Sequence, residues 1–162
     1  MLMTLSPATH HIEQLYRESR QALTSYFVRR HGSVQAAEDL LQETFLRLMK
    51  RMDGCRRAAS PKGYLFGIAR HVSADSWRRR QRTPSETTAV ESIEAPESDQ
   101  RLIEAREIIA ALPSLQREIL DLRFQHDLSY AEIAEALNVP VGTVRSRLHN
   151  ALEILREKMK QG

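Results

Sequence analysis

The chain has a single cysteine, Cys55, among its 162 residues, so no intrachain disulfide can form. That usage fits a reducing compartment such as the cytoplasm, with Cys55 a spectator rather than a reactive thiol. Only 6 glycines and 6 prolines are present, which excludes a low-complexity chain and suits a mostly helical one. No apolar run is long enough to span a bilayer, so membrane insertion is not expected. The start, "MLMTLSPATHHIEQ", lacks the basic segment and apolar run of a signal peptide. No glycine-rich phosphate loop occurs. His10, His11, His31, His71, His126 and His149 are scattered, and no carboxylate or cysteine cluster has metal-ligand spacing. No catalytic set, metal site or cofactor is therefore expected, and an enzyme is the least supported class of function.

What the chain does have is helical periodicity and unevenly placed charge. The net charge is only +3, but residues 56–82 hold Arg56, Arg57, Lys62, Arg70, Arg78, Arg79, Arg80 and Arg82 against one acid, Asp75. Residues 84–100 then carry Glu86, Glu91, Glu94, Glu97 and Asp99 with no base. A basic patch suits a polyanion, nucleic acid or an anionic membrane surface. The stretch "TPSETTAVESIEAPESDQ", 83–100, is rich in Ser, Thr, Pro and Glu and has few core formers, which predicts a flexible linker. The expected organisation is all-α: a helical domain over 1–82, the acidic linker 83–100, and a second helical domain over 101–162.

In the first domain Ile12, Leu15, Tyr16, Ser19, Leu23, Tyr26 and Phe27 share one helical face, and "HGS" ends that helix. Ala37, Leu40, Leu41, Thr44, Phe45, Leu48 and Met52 form the stripe of a second helix, with Ser33 its cap. A third is expected from Pro61, with Leu65, Ile68, Ala69 and Val72 inward. In the second domain Leu102, Ala105, Ile108, Ile109 and Leu112 make a helix stopped near Pro113. Ser114 is expected to cap the next, which should turn Ile119, Leu122 and Phe124 inward.

The segment "LSYAEIAEALNVPVGTVRSRLHNAL", 128–152, carries the sharpest local signal. Ser129 and Glu132 have capping-box spacing, with Leu128 and Ile133 in the staple positions. Asn138 suits a left-handed helix end, and Pro140 restarts the chain. Val144, Leu148, Ala151, Leu152 and Leu155 then repeat at helical spacing, leaving Thr143, Arg145, Ser146, Arg147, His149 and Asn150 outward. This is the pattern of a helix-turn-helix, whose second helix enters the DNA major groove. An ordinary hairpin with a solvated basic face would not require the box, the small Ala134, the turn and the exposed "TVRSR" together.

Beyond that motif, "AEDLLQETFLRLMKRM", "PKGYLFGIARHVSADSWRRRQR" and "LPSLQREILDLRFQHDLSYAEIAEALNVPVGTVRSRL" occur in this order. Together they resemble the core-polymerase helix, the −10 segment and the −35 domain of an extracytoplasmic-function sigma factor. The resemblance covers nearly everything from 12 to 158. It implies a transcription initiation factor that binds core RNA polymerase through the β′ clamp helices and the β flap, and is held in check by an anti-sigma factor. It implies that Asp39, Gln42, Glu43 and Leu46 face the clamp helices. It implies that Arg70, His71, Ser73 and Asp75 capture an unstacked −10 base, with Arg78, Arg79 and Arg80 on phosphates. Thr143, Arg145, Ser146, Arg147, His149 and Asn150 would read the −35 duplex. His71 stands where the family often has asparagine, and Asn150 where it commonly has a basic residue. Trp77 is open to two readings, stacking on a base or partly buried packing. The linker would thread towards the RNA exit channel. The competing reading is a helix-turn-helix regulator that binds duplex DNA without polymerase.

Overall fold

In a computed structural model the chain divides into two compact units, Met1–Ser92 and Ile93–Gly162. The structure describes residues 6–82 of the first and 99–162 of the second. Every regular element among the described residues is helical.

The first unit packs α1 (Pro7–His31), α2 (Val34–Lys50) and α4 (Pro61–Arg82) against one another, with a short α3 (Met52–Arg57) closing one end. Gly32 ends α1 in the left-handed conformation at φ 68°, and its N–H donates to the Val28 carbonyl. Arg29 and Arg30 lie in the last turn, where cations complement the helix dipole. Ser33 starts α2 as expected, its hydroxyl accepting from the Ala36 amide at 3.2 Å. Leu23, Tyr26, Phe27, Leu48, Leu65, Phe66 and Val72 are fully buried, each contributing roughly 1.5–3 kcal/mol by removal from water. The periodicity had not indicated α3. It buries Cys55, whose thiol burial pushes up in pKa, so the thiolate a reactive cysteine needs is disfavoured. Gly54 permits the approach of Tyr64, whose Oη would lie 2.5 Å from any added Cβ.

The second unit sets α5 (Gln100–Ala110), α6 (Ser114–Leu120) and α7 (Tyr130–Leu137) around α8 (Val141–Lys160). Four expectations are corrected here. Asp99 and Gln100 are not linker: the Asp99 carboxylate accepts from the Arg101 amide and caps α5. The rest of the expected linker lies outside the described residues. Ser114 is the first residue of α6 rather than its cap. Pro113 takes the cap position, making no side-chain bond, and its carbonyl accepts from the Arg117 amide at 3.1 Å. Phe124 points outward, 61% exposed. A π-helical turn runs over Asp121–Gln125, in which Leu122 is buried and Phe124 exposed. Leu102, also expected inside, is 54% exposed, because α5 meets its unit chiefly along α8.

After the π-turn the chain reverses at Asp127, φ 54°, and the Leu128 amide donates back to the Leu122 carbonyl at 3.0 Å. Arg123 donates to the Leu128 carbonyl at 3.1 Å. The capping box then forms as its spacing predicts: the Glu132 amide donates to Ser129 Oγ at 3.1 Å, and the Ser129 amide to Glu132 Oε1 at 3.0 Å. Leu128 and Ile133, the staple pair, are both fully buried. Asn138 closes α7 at φ 53° and ψ 50°.

Candidate polymerase and nucleic-acid interfaces

On α2, burial of Ala37, Leu40, Leu41, Thr44, Phe45 and Leu48 forces the remaining positions outward. Asp39, Gln42 and Leu46 are exposed and Glu43 is half-buried. Met49, 50% exposed, continues the same face one turn beyond Leu46, itself 48% exposed. The sequence reading passed over Met49, although its i+3 spacing from Leu46 was the available signal. Glu43 is engaged within the unit, for its Oε1 accepts from Arg47 Nε at 3.1 Å.

Arg47 also reaches α4, where its Nη1 donates to Asp75 Oδ2 at 2.9 Å. Asp75 Oδ1 accepts from Arg78 Nη2 at 2.6 Å. These contacts hold the Asp75 carboxyl below its usual range, the hydrogen bond from Arg47 being the largest cause. Asp75, expected to meet a base, is therefore the hub of an ion-pair network. His71, Arg78, Arg79 and Arg80 are exposed on α4, while Arg70 is half-buried. Ser73 departs from the expectation: its side chain is turned into the core, with Oγ 2.9 Å from His31 Nε2. The indole of Trp77 stacks on the same imidazole, centroids 5.2 Å apart and planes 20° apart. The Arg80 guanidinium lies 5.4 Å from the indole centroid. His31 is pushed down to about 4 in pKa, first by burial and then by the positive charges of Arg80 and Arg30.

On α8, Val144, Leu148 and Ala151 are buried, so Arg145, Ser146, Arg147, His149 and Asn150 are all exposed on the opposite side. Thr143 is half-buried, and its carbonyl accepts from Ser146 Oγ at 3.2 Å. Gly142 had not been singled out. A Cβ there would meet nothing within 4 Å, so no packing within the unit requires glycine. Its position in the first turn of α8 leaves backbone amides bare, the arrangement that suits a phosphate. Among the described residues no His, Cys, Asp and Glu group could hold a metal ion, and no helix is long and apolar enough to cross a membrane.

Two family models match the chain, Sigma-70 region 2 over residues 15–83 and Sigma-70, region 4 over residues 102–155. The ECF RNA polymerase sigma factor SigC of Mycobacterium tuberculosis is 36% identical over 135 residues, covering 80% of this chain and 73% of that relative. The chain belongs to the extracytoplasmic-function RNA polymerase sigma factors. It is a transcription initiation factor. SigL of Mycobacterium tuberculosis is 31% identical over 157 residues, 91% of this sigma factor and 88% of that one. SigW of Bacillus subtilis is 29% identical over 146 residues, 80% and 78% of the two chains. The fold resembles that of the sigma factor RpoE solved in complex with the anti-sigma factor NepR from Bartonella quintana. The TM-score is 0.62, with 24% identity over 93% of this chain and 97% of that one.

Proposed function

We propose that this sigma factor directs core RNA polymerase to promoters through three helix faces, and that polymerase alone performs the chemistry. Asp39, Gln42, Glu43, Leu46 and Met49 on α2 meet the β′ clamp helices, where the acids Asp39 and Glu43 beside an apolar pair suit a basic partner. His71 and Arg78–Arg80 on α4 hold the unstacked −10 strand, and Arg70 borders them. Ser73 and Asp75 support that surface from behind. Thr143, Arg145, Ser146, Arg147, His149 and Asn150 on α8 read the −35 duplex, with the bare amides before Thr143 on a phosphate. The domains divide as 1–82, 83–98 and 99–162, and the acidic segment between them threads through polymerase towards the RNA exit channel. The second unit also contacts the β flap.

One observation carries the reading: two arginine-bearing helix faces, on α4 and α8, belong to two separate units, as two spaced promoter contacts require. A lone helix-turn-helix regulator has no use for the first. The factor works in the cytoplasm, and an anti-sigma factor restrains it; the solved complex with NepR supports such a partner.

The test is transcription in vitro with purified chain, core polymerase and a genomic DNA library, sequencing transcript starts. Starts that need both proteins and share −35 and −10 motifs are expected. Binding of discrete duplex sites without polymerase, with no initiation, would overturn the reading in favour of the regulator.

A further inference from the structure

His31 lies outside every face described so far, yet it touches the α4 surface at two points. It occupies the final turn of α1 and is only 2% exposed. Its Nε2 meets Ser73 Oγ at 2.9 Å, and its ring lies nearly parallel against Trp77. Its Nδ1 is buried with no hydrogen-bond partner. A leucine or phenylalanine would fill this core position without burying an unpaired Nδ1, so packing alone does not account for histidine. What the imidazole adds is a pinned ring: the bond to Ser73 fixes its plane, and that plane fixes the indole. Trp77 is 39% exposed and carries Arg80 over its ring at 5.4 Å, so its orientation sets where this part of α4 presents an aromatic face and a cation. That combination is what a single strand meets on a stacking platform. The lowered pKa keeps the ring uncharged at neutral pH, so it does not add a further cation beneath Arg80.

We infer that His31 is a positioning residue of the −10 surface, holding Ser73 by a hydrogen bond and Trp77 by ring stacking so that Trp77 and Arg80 are set to receive the single strand. The inference rests on the reading of α4 given above. It extends the −10 surface to a residue some forty positions away in sequence, at the end of another helix.

The experiment uses the full chain bound to core polymerase and a fluorescent single-stranded oligonucleotide bearing the non-template −10 sequence found by transcript mapping. His31→Leu keeps the core filled but removes both ring and hydrogen bond. It should leave core affinity intact and weaken capture of the oligonucleotide about tenfold, the scale of one lost stacking contact. In a Trp77→Leu background the same change should cause no further loss, because His31 acts through Trp77. Trp77 is the sole tryptophan, so its fluorescence anisotropy in the free chain reports its mobility directly and should fall in His31→Leu. Ser73→Ala, which removes a single oxygen, should lower the anisotropy and weaken capture by about threefold, the smaller effect expected of one hydrogen bond. Capture by His31→Leu equal to that of the parent chain, or an equal loss with and without Trp77, would overturn the inference. Unchanged anisotropy and capture in Ser73→Ala would do the same. If Arg79→Ala with Arg80→Ala leaves capture unaltered, the reading of α4 itself fails, and His31 falls with it.

Discussion

Arg47 on α2 and Asp75 on α4 form an ion pair, Nη1 to Oδ2 at 2.9 Å, and the same guanidinium holds Glu43 at 3.1 Å. The helix proposed to face polymerase is thereby tied to the helix proposed to face the −10 strand. Glu43 has two roles in this arrangement, so replacing it disturbs α4 as well as any contact with the clamp. Asp39 is exposed and stands apart from the network.

Arg47→Met should let the Asp75 carboxyl rise towards its usual range, since the lost hydrogen bond is the largest cause of its depression. A depressed carboxylate stabilises the fold above its ordinary pKa and loses that contribution as pH falls through the folded value. Both side chains are partly open to solvent, so the pair contributes no more than about 1 kcal/mol. Carboxyl NMR titration should show the rise, and urea unfolding a correspondingly small loss. An Asp75 that titrates as before would exclude Arg47 as its main partner.

Asp39→Ala should weaken binding to core polymerase without changing the unfolding midpoint, because no packing in the unit depends on it. Competition for core against the parent chain measures this. The comparison with Glu43→Ala is informative, for that variant should lose both core affinity and part of the α2–α4 tie. Undiminished competition by Asp39→Ala would remove it from the interface.

Lowering pH should destabilise the first unit through His31. Its folded pKa is depressed to about 4 from 6.5, so its neutral form favours the fold above the unfolded value and loses that advantage as pH falls from 6.5 towards 4. The expected loss is on the order of 3 kcal/mol across that range. Denaturation followed by Trp77 fluorescence at several pH values should show it. His31→Leu should abolish this part of the pH dependence, and a slope unaffected by that change would reject the assignment.

Arg145→Ala and Arg147→Ala should each weaken −35 duplex binding by about 1–3 kcal/mol if the arginine is bidentate to guanine. An arginine that serves phosphate instead should weaken all sequences alike and reduce the salt dependence of binding. Promoter selection identical to the parent in both variants would take them out of the reader.

Ser129→Ala should cost the second unit about 1 kcal/mol, the usual effect of removing an N-cap hydroxyl, and should lower −35 affinity indirectly by fraying α7. Asn138→Gly should be tolerated and Asn138→Ala should not, since only glycine and asparagine enter φ 53° at low cost. Thermal unfolding of the four proteins settles the order.

The long helices, most of their buried faces and the helix-turn-helix were legible in the sequence, whereas the short α3 was not. Those features arise from local rules: 3.6-residue periodicity, cap spacing at Ser129 and Glu132, and the left-handed tolerance of Asn138 and Gly32. The outward set on α8 followed from the same rule, because once Val144, Leu148 and Ala151 are buried the opposite face is fixed. Only the tertiary structure decided what crosses between helices. Neither the partnership of Arg47 with Asp75 nor that of His31 with Ser73 and Trp77 has a periodic signature, because each joins positions 28 to 46 residues apart whose contact depends on how the helices cross. The π-turn that carries the exposed Phe124 escaped for a related reason. A wider final turn changes no composition and no cap, so it leaves no signature in the periodicity.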